Sequence, residues 1–246
     1  MFPESSTYAD FLFGWALYPD LPINYFEYYQ GSGSYLEFRQ YGTGVFLRFL
    51  TDEHDDEGDL IRRSWVDAPP HGNPMAVLDE LLGQRETTLA DAYVTFATRA
   101  ATWDFADGRM LADRATFGAE WAEPAPTHPM DDIDEDGKAW RPRRRAPQTF
   151  GTNYWPLDYV FPDTVEIEFE GDPGPAWWVS VATQRGDVHD RVTMELVDGA
   201  GRMEVSGLDR AELAWVVVSA TADLSPTSAR YPYRLTVNGV VLAAPP

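Results

Sequence analysis

From Gly151 onward the apolar residues of this chain recur with a period of two, and that constrains its fold more than any other feature. Val165-Glu-Ile-Glu-Phe-Glu170 alternates apolar and acidic side chains, as a strand must when one face is buried and the other is wet. Trp177 to Val181, Arg191 to Val197, Met203 to Val205, Leu213 to Ser219 and Tyr233 to Val237 continue as short strand-like runs. Asp172-Pro-Gly174, Asp198-Gly199 and Asn238-Gly239 supply turns between them. Strands this short, at this spacing, predict an antiparallel β-sandwich over residues 149–246.

The preceding half follows a helical period instead. Ser6 to Leu17 predicts a helix rich in aromatics, and Gly31-Ser-Gly-Ser34 a loop. Between Thr43 and Thr51, Val45, Phe46, Phe49 and Leu50 share one helical face. Asp59 is placed to cap a short helix carrying Leu60, Ile61, Ser64 and Trp65. Asn73-Pro74 combines an N-cap residue with proline at the first helical position, and Gly83 marks that helix's expected end. Thr88 and Asp91 resemble a capping box ahead of Tyr93, Phe96, Ala97, Ala100 and Trp103. The fold class expected is therefore α+β: an N-terminal α-helical subdomain (1–115), a Pro-rich charged linker (116–148), and the C-terminal antiparallel β-sandwich (149–246).

Charge narrows the partners. The formal net charge is −21, a field that repels nucleic acid and anionic lipid, so neither is expected as a partner. The one basic run, Arg141 to Arg145, is expected to pair with the acidic stretch beside it. No run approaches the ~18 apolar residues of a membrane span. The first residues carry no basic n-region and no apolar core, so no signal peptide is expected in this chain. There is no cysteine, which rules out disulfides and thiolate chemistry.

No complete catalytic motif is legible. A helical zinc peptidase site needs two histidines one turn apart, and His54, His71, His128 and His189 are not so spaced. His54 and His71, each near carboxylates, remain candidates for an unrecognised hydrolase. Asp132-Ile-Asp134-Glu-Asp136-Gly137 has the opening of a calcium loop, with alternate carboxylates and a turn glycine. Arg143 stands where the bidentate glutamate belongs, so Asp132, Asp134 and Asp136 are candidate calcium ligands without the closing one. Trp177-Trp178 must place one indole in the core, leaving the other for an edge, the helical half or a sugar.

Four stretches resemble the C-terminal region of the myxobacterial-type secreted zinc metallopeptidase family. They are Tyr41 to Leu50, Leu60 to Trp65, Phe96-Ala97 with Thr102 to Arg109, and Phe150 to Tyr154. The resemblance implies helices followed by a β-sandwich, and an extracellular or periplasmic location. In that family a His-Glu-x-x-His helix comes first, and the matching segment would lie upstream of Met1, so no zinc ligand carries over. The expected function is a non-catalytic supporting or binding region of such a protein. The alternative is a protein- or glycan-binding β-sandwich, stabilised by calcium at Asp132, Asp134 and Asp136.

Overall fold

The computed structural model describes residues 12–26, 35–55, 59–70, 72–106, 108, 139–157, 163–223 and 229–238. The chain is α+β, with helices first and two four-stranded antiparallel sheets after them. The helices are α1 (Leu12–Leu17), α2 (Arg39–Gly42), α3 (Gly44–His54), α4 (Leu60–Val66), α5 (Pro74–Gly83) and α6 (Leu89–Ala100).

Their boundaries follow capping chemistry. Asn73 Oδ1 accepts the Met75 amide at 3.0 Å, with Pro74 at the first position of α5. Thr88 Oγ1 accepts the Asp91 amide at 3.0 Å and donates to Asp91 Oδ2 at 2.7 Å. The shorter aspartate thus reaches its capping partner through the hydroxyl. Two expectations change. Asp59 occupies the N-cap position of α4 but makes no side-chain cap, and the buried Asp55 Oδ2 instead accepts the Leu60 amide at 2.7 Å. Gly83 is the last residue of α5 rather than the residue beyond it, and Glu86 takes the left-handed conformation, φ 60°. On α4, Leu60 and Ser64 are buried while Trp65 is exposed.

The strands are β1 (Ala139–Trp140), β2 (Gly151–Pro156), β3 (Thr164–Gly171), β4 (Ala176–Arg185), β5 (Val188–Thr193), β6 (Ala200–Ser206), β7 (Leu213–Thr221) and β8 (Tyr233–Asn238). One sheet has the order β1-β8-β3-β6 and the other β2-β7-β4-β5. The first sheet begins at Ala139, inside the stretch expected to be a linker, where Trp140 stacks on Trp155 with ring centroids 4.6 Å apart. The run expected as one strand from Arg191 to Val197 ends its pairing at Thr193. Asp198 and Gly199 then take positive φ in the turn that pairs Val197 with Ala200.

Alternation along the second sheet distributes its side chains between two cores. Tyr154, Ala182, Trp215 and Val217 join Trp15, Phe46, Phe49, Phe96 and the other helical residues. Trp155, Val179, Val181, Val216 and Val218 join Val165, Ile167, Phe169 and Leu235 of the first sheet. This sheet is therefore apolar on both faces, and β2 and β7 are buried almost throughout. A period-two pattern of apolar and polar residues describes β3, whereas β7 reads as a continuous apolar run because both its faces are covered.

Candidate functional site

The helical half and the second sheet leave a trough where α6 passes β4. One wall is a stripe of α6, Ala90, Asp91, Val94, Thr95, Thr98 and Arg99, at the spacings that share a helical face. The floor is the face of β4 carrying Ala176, Trp178 and Ser180, which alternation turns away from the core residues Trp177, Val179 and Val181. Arg191 and Thr193 of β5 complete it.

Two hollows lie along the trough. One, of about 350 Å³, is lined by Trp178, Ser180, Thr95, Thr98, Arg99 and Arg191, among others. The other, of about 530 Å³, is lined by Ala90, Gly174, Ala176, Thr221, Asp223 and Tyr231 with Ala222. Both volumes fall in the ~300–1,000 Å³ range of small-molecule sites.

The trough's side chains are held in place by polar partners, some in the trough and some beyond it. Trp178 Nε1 donates to Thr221 Oγ1 at 3.2 Å, which fixes the ring where it lines the hollow. Arg99 pairs with Glu53 at 2.7 Å and lies over the Phe49 ring at 5.8 Å. Arg191 pairs with Asp104 at 2.8 Å and is still about a third exposed. Ser180 Oγ and Thr193 Oγ1 bond each other at 3.2 Å.

The candidates read from sequence are placed differently. His54 ends α3, edge-on to Phe49 with centroids 6.1 Å apart. Desolvation lowers its pKa; Glu53 opposes that shift, while Arg85 and Arg99 add to it. His54 lines neither hollow. His189 sits on β5, with Nδ1 3.0 Å from Thr102 Oγ1. His71, His128, Gly31 to Ser34 and the calcium candidates Asp132, Asp134 and Asp136 lie outside the described residues. Among the described residues, no three His, Cys, Asp or Glu side chains are grouped to hold a metal. Arg145 is bonded to Asp20, while the acidic stretch expected to pair with the arginine run lies outside the described residues.

That Asp20 contact is the second polar centre, and nothing in the local sequence marks it. Asp20 is buried, with Oδ1 bonded to Arg145 Nη2 at 2.6 Å and Oδ2 to Arg230 Nη1 at 2.8 Å. Its carbonyl accepts the Gln148 amide at 2.9 Å. A Cβ on Gly151 would stand 2.2 Å from that carbonyl oxygen, so only glycine lets β2 start so close to this segment. Nearby, Tyr93 Oη, Thr152 Oγ1 and Ser219 Oγ form a buried hydroxyl ladder at 2.9 and 2.8 Å from α6 across β2 to β7. Tyr154 Oη donates to the Ala97 carbonyl at 2.9 Å. These bonds fasten α6 to the sheet and so set the width of the trough.

Burial pushes the Tyr93 pKa up to about 12, and raises those of Tyr154 and Tyr233 well above the ordinary value of 10. In the unfolded chain these phenols ionise near 10. Above that pH the folded state binds more protons than the unfolded one, so stability falls as pH rises. Burial lowers the Arg39 pKa from 12.5 to about 10, which works in the opposite sense over that window. Three tyrosines outweigh one arginine, and the denaturant midpoint should fall between about pH 10 and 12. A flat midpoint there would contradict the burial of these phenols.

Fold and site together define an α+β chain whose clearest recess is a helix–strand trough. A family model described as "Family of unknown function (DUF6055)" matches residues 15–200, and the chain belongs to that family. Every residue lining the smaller hollow falls within the matched region, while Thr221, Asp223 and Tyr231 of the larger one lie beyond it. No curated protein matches the chain. Among the described residues, no helix is long and apolar enough to cross a membrane.

Proposed function

We propose that this chain is a non-catalytic glycan-binding module in which the two sheets form a sandwich and the α6–β4 trough takes the ligand. The observation that carries the reading is Trp178. Its indole is held by Thr221, half-buried, in a recess otherwise rich in hydroxyl and guanidinium groups. A sugar ring needs that combination: an apolar surface for its C–H face, and donors and acceptors around its rim. Arg99 and Arg191 are matched by Glu53 and Asp104, and Asp91 adds a further carboxylate. With −21 on the whole chain, no surplus positive charge draws an anionic ligand, and the ligand class is an uncharged glycan.

The metallopeptidase resemblance, and the export it implies, join this proposal as its setting. Of the residues in those stretches, Phe46, Phe49, Leu50, Leu60, Phe96 and Ala97 are buried in the core, whereas Tyr41 and Trp65 are exposed. The buried ones support a shared frame, into which a binding trough fits without a metal ligand of its own.

The test is calorimetric titration of the full chain with soluble neutral glycans, glucan, xylan, mannan and chito-oligosaccharides, beside the Trp178→Ala variant. At least one glycan should bind, and the variant should bind it about tenfold or more weakly, ~1.4 kcal/mol, with its circular dichroism unchanged. Absence of binding to every glycan at millimolar concentration, or undiminished binding by the variant, would overturn the proposal.

A further inference from the structure

We infer that the two hollows are consecutive subsites of one groove for a linear, multi-residue glycan, with Trp178 at the inner end of the first and Tyr231 and Asp223 in the second. This inference rests on the glycan reading above and adds the length and direction of the ligand.

The hollows are joined by the geometry of two elements. On the helical wall, Ala90 lines one hollow and its neighbour Asp91 the other, with Val94, Thr95 and Thr98 continuing along α6. From Ala90 to Thr98 is eight residues of helix, about 12 Å at ~1.5 Å per residue. On the floor, Ala176 lines one hollow, and Trp178 and Ser180 follow on the same face in the other. From Ala176 to Ser180 is about 13 Å of strand at ~3.3 Å per residue, with Gly174 beyond it. The Trp178–Thr221 hydrogen bond lies at the junction, because Trp178 faces one hollow while Thr221 lines the other. A run of that length exceeds a single sugar ring.

The second hollow has its own chemistry. Gly174 has φ 134°, a conformation side chains rarely adopt. A Cβ there would lie 3.4 Å from Tyr231 Cε1, so the glycine leaves that edge of the ring uncovered. Asp223 is exposed, and its carboxylate can accept hydroxyl donors; Thr221, whose hydroxyl accepts the Trp178 indole N–H, lines the same hollow. The two hollows therefore repeat one arrangement, an aromatic ring with hydrogen-bonding groups at its rim.

An extended peptide is the competing linear ligand, and the floor disfavours it. Peptides that lie along sheets gain affinity by pairing with a free strand edge. Strand β4 is paired with β7 from Ala176 to Gln184 and with β5 from Ser180 to Arg185, and Val179 accepts the Met194 amide at 2.8 Å, so its unpaired edge spans only Ala176 to Trp178, shorter than the ~5–6 residues of a usual strand. The trough floor offers side chains, and side-chain recognition of ring faces and hydroxyls suits a glycan.

The test is titration of the full chain with cello-, xylo-, manno- and chito-oligosaccharides of one to six units. For the series that binds, affinity should rise at least tenfold between one and about four units and then level off. Asp223→Asn and, separately, Tyr231→Ala should abolish most of that rise while leaving the shortest ligand's affinity unchanged. Trp178→Ala should weaken binding at every length. Affinity independent of length, or a rise untouched by both second-hollow variants, would overturn the two-subsite inference and leave the glycan reading standing. Binding of none of the four series, or binding of unrelated extended peptides with the same dependence on Trp178, would overturn both.

Discussion

Replacing Asp20 with alanine should cost about 3 kcal/mol of folding stability, the low end of what removing one partner of a buried ion pair costs. The side chain is 1 % exposed and receives two guanidinium groups from opposite ends of the β region, Arg145 at 2.6 Å and Arg230 at 2.8 Å. Arg145 also donates to the Leu17 carbonyl and lies over the Tyr18 ring at 5.2 Å, and Arg230 also donates to the Ala146 carbonyl at 2.7 Å. Removing the carboxylate leaves both cations half-enclosed beside one another without the anion between them. Their own exposure, near 28 and 29 %, lets water offset part of the loss, which is why the low end applies. Arg230→Ala should cost less, about 1.5 kcal/mol, because Asp20 keeps Arg145. Urea denaturation checks both: the midpoint should fall in that order with an unchanged slope. A larger loss for Arg230→Ala than for Asp20→Ala would show that the carboxylate is not the hub.

The hub also explains what was legible in the sequence and what was not. Local chemistry is legible at some helix ends and not at others: Asp59 makes no side-chain cap and Gly83 lies inside α5. The Asn73-Pro74 start, the Thr88–Asp91 cap and the buried face of α3 depend on residues within a few positions of each other, and all are present. The period-two signal locates β3, β4 and β8, and a continuous apolar run locates β7, because each places at least one full face against a core. Contacts that depend on distant segments left no such trace. Asp20 and Arg230 are separated by 210 positions, and Asp20 and Arg145 by 125, so no local pattern points to either pair. Strand β1 is two residues long and too short to show a period. Trp178 was legible only as one of a pair. That one indole must leave the core followed from alternation, but that it would face α6 beside Arg99 and Arg191 required the tertiary packing.

Arg39 is expected to be the most costly single position in the helical half. Among the described residues it is the one arginine with no exposed surface, and it is bonded to three acceptors: Nε to the Tyr18 carbonyl at 2.8 Å, Nη2 to the Leu21 carbonyl at 2.9 Å and Nη1 to Thr43 Oγ1 at 2.6 Å. Those acceptors belong to the segment after α1 and to the α2–α3 junction, so one side chain sets how the first helices approach each other. Arg39→Ala removes the bonds and opens a cavity at once, and should cost about 4 kcal/mol or more. Arg39→Met separates the two losses. It restores most of the volume and removes a buried charge, which alone is often neutral or stabilising. It also strands the buried Leu21 carbonyl, whereas the Tyr18 carbonyl keeps the Leu21 amide at 3.2 Å. If the hydrogen bonds are what Arg39 supplies, the methionine variant should still lose about 1–3 kcal/mol, the cost of one unsatisfied buried group. A methionine variant as stable as the parent would assign the position to volume alone. Because Asp20 immediately precedes Leu21, whose carbonyl Arg39 holds, the two positions share a backbone segment. Their losses should combine non-additively, the double variant Asp20→Ala/Arg39→Met losing less than the sum of the singles by about 0.5 kcal/mol or more. The mechanism is that either substitution alone already frees the 18–21 segment on which both sets of bonds converge.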